Sequence, residues 1–311
     1  MNIREVSPND PVSQVALNAL MEGAPILQDA EFYTRDGSAD TLKQRRTGNA
    51  STLFRSINEN NVAVPPNPVY LPLAKKIASY DSKVDVVLED RNEDPETELA
   101  TQTRLDGIEH GYMLQEAFFT ADEGTNAEAF NGFSALVKPA QVVTPTSAQV
   151  LQLGGDAVKQ SQQEFVEGFL NFAEKIPAGG GQVFAYMNGL MRTRMTAVAK
   201  ALGYYSDELD DMSRRIERIG DVVIRSAGHQ SDGTMLLPFD KTLGANTKTS
   251  SIFFVRWGER TGVTCLTSVG VKGRYAGQVG NFLINNVNLD IAIAEATPKS
   301  LWEWRGVALE G

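Results

Sequence analysis

The sequence predicts an α+β protein, and three observations carry that prediction. Residues 83–89 alternate polar and apolar side chains, as a half-buried strand does, and a long helical pattern follows at residues 94–119. Residues 158–202 then give a helix, a strand and a helix in succession. The chain after residue 250 is rich in strand-like runs separated by Gly and Asn turns. Helical and β-rich segments that follow one another in this way are typical of the α+β class.

The N-terminal segment, residues 1–35, is predicted to hold one short helix and an extended arm. Asp10 is a helix cap and Pro11 suits the first helical position, so an amphipathic helix should begin there. Pro25 marks its end, and Phe32 is an apolar anchor of the extended chain that follows.

Residues 36–90 are predicted to be a long β excursion with little core of its own. Four prolines fall within eight residues, at positions 65, 66, 68 and 72. Because proline cannot donate a ladder hydrogen bond, this segment must lie at an edge, in a loop or against another subunit. The basic residues Lys43, Arg45 and Arg46 precede it.

The helix at residues 94–119 has the strongest signals in the chain. Asp94 is the cap, Pro95 takes the first position, and acidic residues complement the positive helix end. Gly107 and Gly111 each cost about 1 kcal/mol of helix propensity, which suggests the close approach of another backbone. The predicted core face comprises Leu105, Ile108, Tyr112 and Phe119, and a corner at Phe130, Asn131, Gly132 and Phe133 follows the helix.

The remaining elements follow from periodicity and turn residues. A loop is predicted at 138–156, helices at 158–176 and 188–202, strands at 182–187, 221–226, 235–239, 251–257, 281–294 and 301–307, and a polar loop at 241–250. One charged segment is predicted to be a solvated helix face with i,i+4 ion pairs, a catalytic carboxylate pair being the weaker alternative. Its residues are Asp207, Glu208, Asp210, Asp211, Arg214, Arg215 and Arg218.

Composition and motifs argue against several function classes. A formal charge of −10 does not suit a general nucleic-acid binder. The single cysteine, Cys265, fits a reducing cytoplasm, and no signal peptide or membrane span is visible. His110 and His229 lack metal-ligand spacing, the Gly run at 179–181 lacks the P-loop Lys-Ser/Thr pair, and no nucleophile-elbow motif occurs. We therefore expect no cofactor, no metal and no enzymatic activity.

Several short motifs occur in a distinctive order. They are PILQDAEF at 25–32, FRSINE at 54–59, VD at 84–85, AEAFNGF at 127–133, VFAYMN at 183–188 and SIFFVRWG at 251–258. In this order and spacing they resemble the HK97-fold major capsid proteins of tailed bacteriophages, over nearly the whole chain.

The resemblance implies an architecture. Residues 1–35 would be the N-terminal arm, 36–90 the extended β-hairpin called the E-loop, 91–140 the P-domain with its long spine helix, 141–250 the α/β A-domain, and 251–311 a C-terminal β segment that belongs mostly to the P-domain. The implied subunit-contact residues are Phe32, Lys43, Arg45, Arg46, Pro65, Pro66, Pro68 and Tyr70.

The resemblance also implies a function. The chain would self-assemble through hexamers and pentamers into an icosahedral head that encloses phage dsDNA with loose, non-specific contacts. Implied partners are a portal, a decoration protein and a separate scaffolding protein, since the chain begins at Met1 almost directly with the arm. It would assemble in the host bacterial cytoplasm and reside in the virion, without contacting a membrane.

Two other functions are compatible with the sequence. An encapsulin-like nanocompartment shares the resembling architecture and carries enzyme cargo, whereas a cytoplasmic α/β enzyme with a long β insertion belongs to a different class. By analogy with some capsids, a Lys–Asn isopeptide between subunits is a further alternative that nothing in the spacing supports. It would join Lys43, Lys75 or Lys76 to Asn285, Asn286 or Asn288.

Overall fold

The structure is a computed structural model of the chain. It describes residues 1–34, 39–44, 69–86, 94–152, 158–177, 181–209, 215–259 and 261–309. The α-helices in these residues are α1 (Ile3–Val6), α2 (Pro11–Gly23), α3 (Ile26–Asp29), α4 (Pro95–Thr120), α5 (Phe133–Leu136), α6 (Lys159–Ala173) and α7 (Gly189–Leu202), and a 3-10 helix spans Pro139–Gln141. The strands are β1 (Phe32–Thr34), β2 (Ala39–Gln44), β3 (Val69–Ala74), β4 (Lys76–Asp85), β5 (Val142–Val143), β6 (Gln149–Leu151), β7 (Val183–Met187), β8 (Tyr205–Leu209), β9 (Arg215–Ile219), β10 (Val222–Ser226), β11 (Lys241–Leu243), β12 (Asn246–Arg256), β13 (Val263–Thr267), β14 (Val271–Val279), β15 (Phe282–Glu295) and β16 (Leu301–Leu309).

Among the described residues, the strands form two large sheets and one separate hairpin. The first sheet has five strands in the order β1-β13-β15-β14, with β4 also paired to β15. The second has nine, in the order β5-β16-β12-β7-β10-β9-β8, with β6 added on β16 and β11 on β12. β2 and β3 pair with each other. Mostly antiparallel sheets with segregated helices confirm the predicted α+β class.

Helix α4 runs along the first sheet and packs against α2. It begins as predicted, after Asp94 and with Pro95 in its first turn. The helices approach most closely at Gly23 and Gly111: a Cβ built on Gly111 would lie 2.8 Å from the Gly23 Cα and 2.8 Å from the carbonyl oxygen of Leu20. The predicted close backbone approach is confirmed at Gly111, where a larger residue has no room.

An aromatic cluster joins the end of α4 to the second sheet. Phe118 and Phe119 of α4 and Phe133 of α5 are fully buried. Phe119 and Phe133 lie 5.4 Å apart, and the three rings meet Tyr186 of β7 and Trp257 just after β12 at centroid separations of 5.8 to 6.5 Å. These are the edge-to-face and tilted arrangements that aromatic pairs prefer, so a single core connects the long helix to the second sheet.

The other face of the nine-stranded sheet is covered by α6 and α7. Phe165, Phe169 and Phe172 share one face of α6, as their spacing predicts, and all three are buried. They pack against Phe254 of β12 and Trp304 of β16. The predicted helix–strand–helix unit is therefore present, although α6 is shorter at both ends than predicted.

The prediction of a charged helix between residues 207 and 218 is wrong. The segment contains β8 and β9, which pair antiparallel. Arg215 reaches Asp207 at 2.9 Å and Arg218 reaches Glu208 at 3.6 Å, across the two strands. Opposite charges on neighbouring strands form ion pairs just as charges at i and i+4 on a helix do. The spacing of the charges therefore did not distinguish a helix from a pair of strands. Asp210, Asp211 and Arg214 lie outside the described residues.

Other element boundaries also need correction. The predicted strand at 235–239 is absent there, because Leu237 has a positive φ of 53° and the segment turns. The predicted loop at 241–250 instead holds β11 and the start of β12, and the loop at 138–156 holds the short strands β5 and β6. The strand predicted from residue 83 begins at Lys76, because it pairs along ten residues of β15.

We expect Gly111→Ala to destabilise the fold. The added methyl group would push α2 away from α4, and overpacking of this kind costs about 1–3 kcal/mol. The measurement is the free energy of unfolding in urea. The matched control is Gly168→Ala in α6, where the new Cβ meets only Trp304 at 3.8 Å, so helix propensity should stabilise by up to about 1 kcal/mol. Equal effects at both positions would contradict the close helix packing.

Candidate functional site

Gln115 connects α4 to two distant segments. Its side chain is buried, its Oε1 accepts a hydrogen bond from the Ile26 backbone N–H at 3.1 Å, and its Nε2 donates to the Ala227 carbonyl at 2.6 Å. Gln115 therefore faces the interior of its own chain. Its amide satisfies two backbone groups that burial would otherwise leave unpaired.

A second polar junction joins the N-terminal segment to the nine-stranded sheet. Arg225 of β10 donates two hydrogen bonds to the Asp29 carboxylate, at 3.1 and 3.2 Å. The Tyr186 hydroxyl donates to the same carboxylate at 3.3 Å and accepts from Trp257 Nε1 at 2.9 Å. Burial, reinforced by the Asp29 charge, raises the pKa of Tyr186 well above its usual value, so the hydroxyl keeps its proton.

A third junction lies where β15 turns into β16. Glu295 is 4% exposed, and its Oε1 accepts hydrogen bonds from the Ser300 and Leu301 backbone N–H groups and from the side chain of Gln141. Lys138 Nζ lies 3.4 Å from its other carboxylate oxygen. Charge-assisted bonds of this kind are strong, so they hold the turn between β15 and β16 in place. No local sequence signal marks any of these three junctions.

Phe32, which the resemblance implied to be a subunit contact, is instead buried inside its own chain. β1 pairs in parallel with β13, and this pairing sets Phe32 opposite Cys265. Both side chains have no exposed surface. Burial raises the pKa of the Cys265 thiol above its ordinary value. The N-terminal segment is thus part of the chain's own core rather than a free arm.

The predicted subunit-contact residues of the E-loop are described only in part. Lys43 and Tyr70 sit opposite each other in the β2–β3 hairpin. Arg45, Arg46, Pro65, Pro66 and Pro68 lie outside the described residues. An isolated two-stranded hairpin is marginally stable in water, so the β2–β3 hairpin, which pairs with no other strand among the described residues, has a physical reason to bind a neighbouring surface.

The predicted core face of the spine helix is only partly correct. Phe119 is fully buried, Ile108 and Tyr112 are half-buried, and Leu105 is 57% exposed. The prediction for Leu105 is wrong because this residue lies on the side of α4 opposite the buried face, which comprises Leu99, Thr103, Gly107, Gly111, Leu114 and Phe118.

The corner after α4 is a tight, specific turn. Phe130 and Phe133 pack on Phe118 at 5.6 and 6.3 Å between ring centroids. Gly132 donates its backbone N–H to Ala121, and a Cβ there would lie 2.5 Å from the Ala117 carbonyl oxygen. Asn131 Oδ1 accepts from the backbone N–H of Glu123. These four residues close the C-terminal end of the helix.

The two histidines that were considered as metal ligands each lie against an aromatic ring of the chain. His110 stacks on Tyr80 at 4.6 Å and His229 lies 5.0 Å from the ring of Tyr112. Within the described ranges, no group of three or more His, Cys, Asp or Glu side chains is placed to hold a metal ion.

Four of the six residues considered for an isopeptide bond have hydrogen bonds or ion pairs within the chain, and Asn288 is exposed. Lys75 is buried, donates to Ser268 and lies 3.7 Å from Asp290. Lys76 donates to the Ala127 carbonyl and pairs with Glu123, while Asn285 donates to Thr103 and Asn286 to Asp81.

Comparisons with known proteins identify the fold. No family model and no curated protein matches the sequence. The structure is similar to the holo-SrpI encapsulin complex from Synechococcus elongatus, with a TM-score of 0.59, 14% identity and coverage of 91% of this chain and 87% of that chain. It is also similar to the capsid of a native GTA particle, with a TM-score of 0.55, 13% identity and coverage of 93% and 90%. A satellite phage P4 procapsid gives a TM-score of 0.51, 10% identity and coverage of 95% and 99%. The chain has the HK97-like fold of these shell proteins.

We expect Gln115→Ala to cost about 1–3 kcal/mol, because it leaves the Ile26 N–H and the Ala227 carbonyl buried and unpaired. Urea denaturation measures the loss. The matched control is Gln102→Ala on the same helix, where the side chain's only hydrogen bond to a described residue is to Asp106, one turn along; this variant should lose well under 1 kcal/mol. Similar losses at both positions would contradict the role assigned to Gln115.

Proposed function

We propose that the chain is the major capsid protein of a tailed bacteriophage, assembling through hexamers and pentamers into an icosahedral shell around dsDNA. The observation that carries the proposal is the likeness to two capsids and an encapsulin shell, which extends over at least nine-tenths of this chain and 87% or more of each neighbour. A whole-chain likeness leaves little of the chain to form a separate active site, so we propose no enzymatic activity.

The surface supports a role in assembly. Large apolar side chains are exposed on several strands, including Leu209 at the end of β8, 72% exposed, and Ile77 near the start of β4, 69% exposed. Val279 and Phe282 face each other at the tip of the β14–β15 hairpin and are 59% and 43% exposed. Exposed apolar groups at the extremities of a well-packed body favour contacts with other copies.

The proposed partners follow from shell assembly: other copies of the chain, a scaffolding protein, a portal and a decoration protein, with the mature protein in the virion after assembly in the host cytoplasm. The charge of −10 limits packaged DNA to loose, non-specific contacts. No helix among the described residues has the length and apolar character needed to cross a membrane.

An encapsulin-like nanocompartment is the second candidate function. It is favoured by the TM-score of 0.59 to an encapsulin, which exceeds the values of 0.55 and 0.51 for the two capsids above. A cytoplasmic α/β enzyme is the third candidate; it would remain monomeric or form a small oligomer.

Electron microscopy of the purified chain, expressed alone and with a co-encoded candidate scaffold, tests the proposal. We expect rings or closed particles of uniform curvature. Nuclease-protected DNA in particles from infected or induced cells separates the phage head from a nanocompartment, which would instead retain protein cargo. A chain that stays monomeric at high concentration in both preparations would contradict shell formation.

Replacing Lys43, Arg45 and Arg46 together with Gln tests the role of this basic segment. We expect defective or salt-sensitive empty shells made without DNA, because we propose that these cations contact acidic surface on a neighbouring subunit. Particle yield at low and high salt is the measurement. Normal empty shells that fail only when DNA is packaged would show that the segment contacts the packaged DNA instead of a neighbouring subunit.

A further inference from the structure

Helix α4 leaves an apolar stripe outside the core. Leu105, Ile108 and Tyr112 recur at i, i+3 and i+7, and Leu105 is 57% exposed while the other two are half-buried. They line an open cleft of about 420 Å³ whose opposite wall is formed by Ser231 and Asp232. Spacing of this kind presents one continuous ridge to a partner.

The opposite wall is a well-ordered turn. The backbone N–H of Gln230 donates to the Thr234 carbonyl at 2.8 Å, and His229 forms a bridge with Met235. The turn is fastened to α4 by a hydrogen bond of 2.6 Å from Gln230 Nε2 to Glu116 Oε1. The cleft is therefore preformed, which reduces the entropy cost of binding.

The rim of the cleft is acidic. Glu109 and Asp232 line it and are exposed. Hydrogen bonds from Thr234 lower the pKa of Asp232, so this carboxylate stays ionised. Among the described residues that line the cleft none is basic, and Arg104, the basic residue of α4, pairs with Glu22.

We propose that this cleft binds a basic amphipathic helix of a partner protein. The apolar stripe fits the apolar face of a second helix, as in helix-in-groove recognition, and the carboxylates select Lys or Arg on its flanks. The same negative charge repels nucleic acid. The identity of the partner rests on the proposed function, since shell assembly supplies a scaffolding protein as the natural source of such a helix. The binding chemistry does not depend on it.

The probe is a panel of fluorescein-labelled helical peptides of about five turns, with Leu at i, i+3 and i+7 in each helical phase and Lys on both flanks. Matched peptides carry Ser for Leu or Glu for Lys. Fluorescence anisotropy measures binding to the purified chain at low and high salt. We expect saturable binding of a basic Leu peptide that weakens with salt, and no binding of either matched peptide.

Two variants place the binding in the cleft. Leu105→Ser and Glu109→Lys should each weaken it about tenfold or more, which corresponds to about 1.4 kcal/mol. Met113→Ser, at a residue of α4 that is 59% exposed outside this cleft, and Glu208→Lys on β8 make the same chemical changes elsewhere. These two controls should bind the peptide like the unaltered chain.

Three outcomes would overturn the proposal. No member of the panel binds; or the control variants lose as much affinity as the cleft variants, which is general attraction to an acidic protein; or Leu105→Ser and Glu109→Lys stop the chain from assembling by itself, which makes the cleft a contact between copies. Peptide binding by a chain that never forms particles would refute only the proposed function.

Discussion

The structure depends on one constraint: α2 and α4 must touch backbone to backbone. Gly23 and Gly111 permit that contact, although glycine in the middle of a helix weakens it by about 1 kcal/mol. The approach places α3 at the side of α4, where Gln115 can pair with the first residue of α3. It thereby brings Asp29, at the end of α3, to Arg225 of the nine-stranded sheet. The contact between α2 and α4 thus positions α3, and α3 in turn links the long helix α4 to the nine-stranded sheet.

The described part of the molecule has a well-packed core, and several surface elements expose apolar side chains or lack a further strand partner. Inside, aromatic rings and three polar junctions tie α4, the N-terminal segment and both sheets together. Outside are a two-stranded hairpin with no further strand partner in the described residues, an exposed apolar hairpin tip and an apolar stripe on α4. A rigid body with exposed apolar edges has the physical properties of a building block, because its shape is set before it meets a partner and its edges gain stability from contact.

Local signals predicted much of the fold. Asp10 with Pro11 and Asp94 with Pro95 mark helix starts that the structure reproduces, because the signals that start a helix act within one turn of the chain. The order of short motifs predicted the fold as a whole. The prediction of a helix at 207–218 is wrong because the same acidic and basic residues can form ion pairs either along a helix or across two strands.

Contacts between segments that lie far apart in the sequence left no local signal. The apolar side chain of Leu105 predicts a core position, whereas the buried face of α4 lies on the opposite side of the helix and includes Thr103, Gly107 and Gly111. Gln115 and Glu295 satisfy backbone groups from segments far away in sequence, and no local pattern records a distant partner. The apolar stripe on α4 and the buried polar junctions could therefore be identified only from the structure and not from the periodicity of the sequence.

The pairing of β1 with β13 and of β4 with β15 has a consequence for synthesis. Phe32 of β1 pairs with Cys265, and Tyr80 of β4 pairs with Val287. Both early strands therefore leave the ribosome long before their partner strands have been synthesised. Contacts between such distant residues form slowly because a large loop must close first. The first sheet is thus completed only after β15 has been synthesised. A prematurely terminated chain cannot present the finished body, which excludes incomplete products from any assembly that requires it.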